Sequence, residues 1–185
     1  INDVAREESK ADHIHRDEAA LGAGYRGSGV VVGIVDSGID IFHPDFRDPA
    51  DSTSSRILAI WDQLDDSGPA PIGYPYGTLY TRENIERALR GEAAFAVTDE
   101  IGHGTHVAAT AAGNSPVYTG MAPEADLVVV KLLEDLGHGE EVPADEDFKS
   151  VVDEFRGSLI DAAAYVFDRA ARQRDPAVVN LSLGT

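Results

Sequence analysis

Six consecutive residues, Val30-Val31-Val32-Gly33-Ile34-Val35, carry no polar side chain, and four of them are valine. A strand with one wet face alternates apolar and polar positions. A strand without polar positions must be covered on both faces, the condition of parallel sheets in α/β proteins. The run therefore points to a sheet with helices packed on both sides and right-handed crossovers between its strands. Asp36-Ser37-Gly38 closes it with turn-forming residues. Leu127-Val128-Val129-Val130 and Val178-Val179-Asn180-Leu181-Ser182-Leu183 repeat the signal, and Arg56 to Trp61 reads as a shorter strand.

Helical spacing fills the intervals. Thr81 can cap a helix through Leu89, with Glu86 placed four residues before Arg90 and Gly91 as its stop. A second helix begins near His103, where Val107, Ala108, Ala111 and Ala112 share one face and Gly113-Asn114 ends the repeat. A third is marked by Leu159, Ala162, Ala163, Val166, Phe167 and Ala170. Residues 62–77 are rich in Pro, Gly and Asp and read as a surface loop. The acidic stretch from Glu134 to Glu154, with Lys149 its one base, reads as a solvated excursion. No repeat, heptad or linker divides the chain. A buried-type strand at residues 178–183 with no covering helix after it leads us to expect the rest of a single domain beyond Thr185.

Composition bounds function. The 185 residues, 43% of them hydrophobic and 26% charged, suffice for one globular core. The 33 acidic against 15 basic residues give a net charge of −18, which repels nucleic acid phosphates and anionic membrane surfaces. No apolar run approaches the roughly 20 residues of a membrane span. With no cysteine, thiol catalysis, thiolate zinc and disulfides are excluded, and either redox compartment is permitted.

Two segments could carry chemistry. Asp36 falls just past the carboxyl end of a buried strand, the edge at which open α/β sheets bind ligands, although Asp-Ser-Gly is also an ordinary turn. Gly102-His103-Gly104-Thr105-His106 puts an imidazole at a helix start, where flanking glycines could leave room for a substrate. His103 and His106 share a helical face and could hold a metal, but the residues between them lack the glutamate of a His-Glu-x-x-His zinc site. Two histidines bonded locally in a packed helix is the plainer alternative. His13, His15, His43 and His138 share no motif. Trp61 reads as packing, and Gly24 to Gly29 lacks the strand and the Gly-Lys-Ser/Thr of a phosphate loop.

Taken together, Val30 to Asp45, His103 to Gly113 (HGTHVAATAAG), Gly120 to Lys131 and Val178 to Thr185 resemble the subtilisin-like serine protease family, in that family's order. The resemblance runs from Tyr25 onward. It implies a subtilisin-like α/β fold, a mainly parallel sheet sandwiched between helices and incomplete in this chain, with residues 1–185 as the N-terminal part of one peptidase domain. It also implies a serine endopeptidase that hydrolyses peptide bonds in proteins. Asp36 matches the catalytic aspartate, His103 the general base and His106 a structural position. Ser182-Leu183-Gly184 matches one edge of the substrate cleft, and Gly137-His138-Gly139 the other, with an extended peptide bonded between them. The third triad member is not visible: no Gly-Thr-Ser-Met-Ala segment and no later oxyanion asparagine occur, and Ser115, Ser158 and Ser182 lack that context.

Departures from the family pattern matter. Asp36 and His103 stand 67 positions apart, about twice the spacing of the smallest members, and Lys131 and Asn180 stand 49 apart. Asp45 matches a calcium ligand of some members, but the Gly113 to Gly120 loop that would supply further oxygens is short; no cofactor is expected to be required, and calcium stays open without support at a specific site. For most members the resemblance implies secretion and a removed pro-segment. Two rivals stay open: a catalytically inactive binding module with this fold, and a metallohydrolase built on His103 and His106.

Overall fold

The computed structural model describes residues 2–17, 24–132 and 146–182. In chain order its elements are α1 (Asn2–Ser9), α2 (Ala11–His15), β1 (Val31–Asp36), β2 (Arg47–Asp48), β3 (Asp51–Ser55), β4 (Ile57–Asp62), β5 (Thr78–Thr81), α3 (Arg82–Leu89), α4 (His103–Ala112), β6 (Asp126–Lys131), α5 (Glu146–Gln173) and β7 (Ala177–Asn180). The main sheet has the order β5-β4-β6-β1-β7. Every neighbouring pair in it is parallel except β4 and β5. The expected α/β architecture, a mainly parallel sheet between helices, is the one present.

The β1 sequence explains the layering. All six of its residues are buried. Val32 and Ile34 turn to one side, into a core shared with Ile85 of α3 and Ala108 and Ala112 of α4. Val31 and Val35 turn to the other, against Ala162, Val166 and Ala170 of α5. Gly33 lets α5 approach: a Cβ there would lie 2.5 Å from Val166 Cγ1 and 2.9 Å from Cγ2. Gly33→Val is therefore expected to cost about 2–3 kcal/mol by overpacking. Gly157→Ala, on α5 with open space around it, should be neutral or stabilising by up to about 1 kcal/mol. Urea denaturation of both variants checks the pair; equal midpoints would contradict this packing.

Four features differ from the sequence reading. Residues 146–154 of the acidic stretch are helical, part of α5, and Asp153 there is solvent-exposed as the charge run suggests. The 62–77 segment is pinned down rather than merely exposed. Trp61 packs on Tyr74, Tyr76 and Tyr165 with ring centroids 4.6, 5.2 and 5.3 Å away. Asp65, accepting from Ser67 and from the Tyr80 hydroxyl, has its carboxyl pulled down to about 2. β5, β2 and β3 carry no alternation long enough to read. Finally, β7 ends at Asn180, and its far edge has no paired strand among the described residues.

The topology fixes one functional edge. Asp36 is in register with Lys131, and Asp62 with the same Lys131. On the other side Ile34 is level with Asn180, which places Ser182 near the level of Asp36. The carboxyl ends of β1, β4, β6 and β7 thus gather where an open α/β sheet presents its ligand site.

Candidate active site

Asp36 is the last residue of β1 and its side chain is 0% exposed. Its Oδ1 accepts from the Ser37 backbone N–H at 2.7 Å and meets His103 Nδ1 at 2.7 Å. A carboxylate can only accept, so the imidazole carries its proton on Nδ1 and presents Nε2 as a lone pair when neutral. The His103 side chain is 49% exposed. A buried anion behind a half-exposed imidazole is an arrangement that takes a proton from a nucleophile and stabilises the imidazolium formed. Among the described residues Asp36 is the one hydrogen-bond partner of the His103 ring, and no hydroxyl meets it.

His103 is held by where α4 starts. Gly102, the residue before the helix, adopts φ +78°, a left-handed conformation suited to glycine, and has nothing within 4 Å of the place a Cβ would take. Gly104 is different. A Cβ there would collide with the Gly38 carbonyl oxygen and lie 3.2 Å from Asp36 Cβ. Glycine 104 therefore admits the chain's own β1 turn, not a substrate, which corrects the reading that both glycines clear a path.

Ser37, Thr105 and Asp99, none of them a candidate site residue in the sequence reading, support the pair. Because Gly102 offers no side-chain cap, the α4 amides take imported oxygens. Ser37 Oγ accepts from Gly104 N at 2.9 Å. Asp99 accepts from Gly102 N at 3.0 Å, from Thr105 N at 2.7 Å and from Thr105 Oγ1 at 2.5 Å, and takes Ser37 Oγ at 2.8 Å. Burial pushes the Asp99 carboxyl up, but the bonds from Thr105, Ser37 and Gly102 outweigh it and hold the group below the ordinary range. The available signal was an uncapped glycine start with an aspartate three residues before it.

The remaining candidates fall elsewhere. His106 lines a groove of about 510 Å³ between α4 and β7, with Val32, Val107, Val178, Val179 and Ser182. No group of three or more His, Asp or Glu suited to a metal occurs among the described residues, so His103 and His106 have no third ligand there. Ser182 donates to Asn180 Oδ1 at 2.7 Å. Gly137, His138, Gly139, Leu183 and Gly184 lie outside the described residues. Beside Asp45 sits an internal cation. Arg56, 8% exposed, donates to the carbonyls of Ala125 at 2.7 Å and of Asp45 and Ala112 at 2.5 Å each. Burial lowers its pKa, countered by Asp126, Asp45, Asp48 and Glu124.

The profile of the Subtilase family matches residues 27–185. The chain belongs to that family. Subtilases are serine peptidases, and the carboxylate–imidazole pair stands on the two subtilase segments that the sequence motifs pick out. Among relatives, the subtilisin-like protease PopC of Myxococcus xanthus is 32% identical over 169 residues, covering 87% of this chain and 26% of PopC. The intracellular serine protease of Paenibacillus polymyxa is 32% identical over 117 residues, 62% of this chain and 27% of that protein. The solved structure of the CspB protease of Clostridium perfringens superposes with a TM-score of 0.68 at 26% identity, over 97% of this chain and 34% of that one. The subtilase chain here thus spans 26%, 27% and 34% of the length of these three proteins. No helix among its described residues is long and apolar enough to cross a membrane.

Proposed function

We propose that this chain supplies the Asp and His of a serine endopeptidase acting on proteins, with the nucleophilic serine and the oxyanion donor coming from further residues of the same domain. The observation that carries this reading is the 2.7 Å contact between buried Asp36 and His103 Nδ1 at the carboxyl edge of a subtilase sheet. In the reaction, His103 Nε2 removes the proton of a serine hydroxyl as its oxygen attacks the peptide carbonyl, then returns it to the leaving amine, while Asp36 stabilises the imidazolium. An extended substrate lies between Ser182-Leu183-Gly184 on one side and Gly137-His138-Gly139 on the other, its main chain bonded to both. No metal is needed for these steps, and the Arg56 guanidinium supplies fixed positive charge near Asp45. Secretion after loss of a pro-segment is the cellular setting we infer, and fractionation tests it against the intracellular setting in the name of the P. polymyxa relative.

The deciding experiment uses the full-length protein on a labelled protein substrate. Turnover abolished by His103→Ala and by a serine-directed phosphonate, and unmoved by chelators, supports the triad. Loss of turnover to chelators with indifference to the phosphonate replaces it with metal hydrolysis, and tight substrate binding without turnover replaces it with a binding module. Residues 1–185 alone are expected to show no turnover, because the imidazole has no nucleophile to activate; His103-dependent cleavage by that chain would overturn the assignment.

A further inference from the structure

We propose that Asp99 is a positioning residue for the Asp36–His103 pair: it takes the single hydroxyl proton of Ser37 away from Asp36 and clamps the helical turn that carries His103. The inference rests on the peptidase reading above and extends it to a residue that meets neither His103 nor the reacting atoms.

Ser37 Oγ stands between two carboxylates, 3.1 Å from Asp36 Oδ1 and 2.8 Å from Asp99 Oδ1, while accepting from Gly104 N. A hydroxyl has one proton to give. The shorter contact is with Asp99, so the proton goes there, and Asp36 Oδ1 is left to the Ser37 N–H and to His103. Had the proton turned to Asp36, a further donor would have drawn charge from the oxygen on which the imidazolium depends. Asp99 also brackets His103 along the chain, accepting from Gly102 on one side and from Thr105 on the other. Thr105 in turn accepts from Asp40 N at 2.9 Å, tying the loop after β1 to the same turn of α4.

A simple helix cap would hold the turn and do nothing to Asp36. Asp99→Asn separates the two roles. Its amide oxygen can stay on the two Thr105 donors and keep that half of the cap, while the Gly102 N–H, which donates to the other oxygen, loses its acceptor. Its NH2 then faces Ser37 Oγ and donates to it, which sends the Ser37 proton to Asp36. In the full-length protein we expect kcat to fall about tenfold with KM within about twofold, the scale on which outer carboxylates act when they orient a catalytic imidazole. The effect must run through Ser37, so Asp99→Asn combined with Ser37→Ala should be no slower than Ser37→Ala alone. The proton NMR signal of His103 Nδ1–H, displaced to low field by its bond to Asp36, should move upfield in Asp99→Asn, whatever the loss of the Gly102 bond does to the thermal midpoint. Additive losses in the double variant, or an unmoved Nδ1–H signal, reduce Asp99 to a cap and overturn the proposal. The NMR signal needs no turnover: a wild-type protein that cleaves nothing, yet whose signal moves on Asp99→Asn, refutes the peptidase reading and leaves the role of Asp99 standing.

Discussion

Asp36→Asn is expected to lower kcat of the full-length protein by on the order of 10³ to 10⁴, the upper figure being what this exchange costs in Ser-His-Asp triads of other folds. The geometry says which part of that loss applies. Ser37 N–H, 2.7 Å from Oδ1, demands an acceptor at that place, so the amide keeps its oxygen there and His103 can keep its proton on Nδ1. The imidazole tautomer survives; the charge does not. Two unit charges about 4 Å apart at an effective dielectric near 20 interact by about 4 kcal/mol, which is about three decades in rate. The amide NH2 also replaces Oδ2, which has no hydrogen-bond partner among the described residues, so it is left there as a buried donor without an acceptor and adds to the cost. Since Asp36 is wholly buried and touches no substrate, KM should change less than about threefold. Steady-state kinetics with both parameters resolved are the check. A kcat loss under about tenfold would remove Asp36 from the mechanism.

How much of this was legible follows from how local each signal is. β1 was readable because burial on both faces leaves no polar residue in it, and α4 because its small apolar residues recur at helical spacing before Gly113-Asn114. Asp36 and His103 were readable as a pair only through the resemblance, since each alone has an ordinary explanation as a turn or a packed histidine. Asp99 escaped because its meaning depends on Ser37, 62 positions away in the chain and 2.8 Å away in space. Arg56 escaped for the same reason. At a strand margin an arginine looks solvated, and nothing in the chain says that the carbonyls of Asp45, Ala112 and Ala125 converge on it. The helical form of residues 146–154 was missed because charge density outweighed periodicity in a stretch where helix propensity is good. Edge strand β5 is too short to show a period at all.

Gly104→Ala should leave a folded protein with kcat reduced by at least about 10², the cost of misplacing catalytic groups by about 1 Å. By helix propensity alone the change would stabilise α4, by about 1 kcal/mol. The new methyl, however, meets backbone on the other side: the Gly38 carbonyl oxygen in outright collision and Gly38 N at 3.0 Å. No side-chain rotation relieves that contact. Gly38 cannot simply retreat, because its own φ is +124° and its Cβ position is 2.8 Å from the Thr98 carbonyl. The first turn of α4 must therefore move off β1, lengthening the 2.7 Å bond between His103 and Asp36 and breaking the 2.9 Å bond from Gly104 N to Ser37. Gly102→Ala is the matched control. Its methyl meets nothing, so it pays only the left-handed φ, about 1–2 kcal/mol of stability, and should keep kcat within a few-fold. Measuring kcat and thermal midpoint for both variants separates the two glycines. If Gly102→Ala loses more turnover than Gly104→Ala, the space that matters lies in front of the histidine rather than behind it, and the close contact of α4 with the Asp36 turn does not set the geometry of the pair.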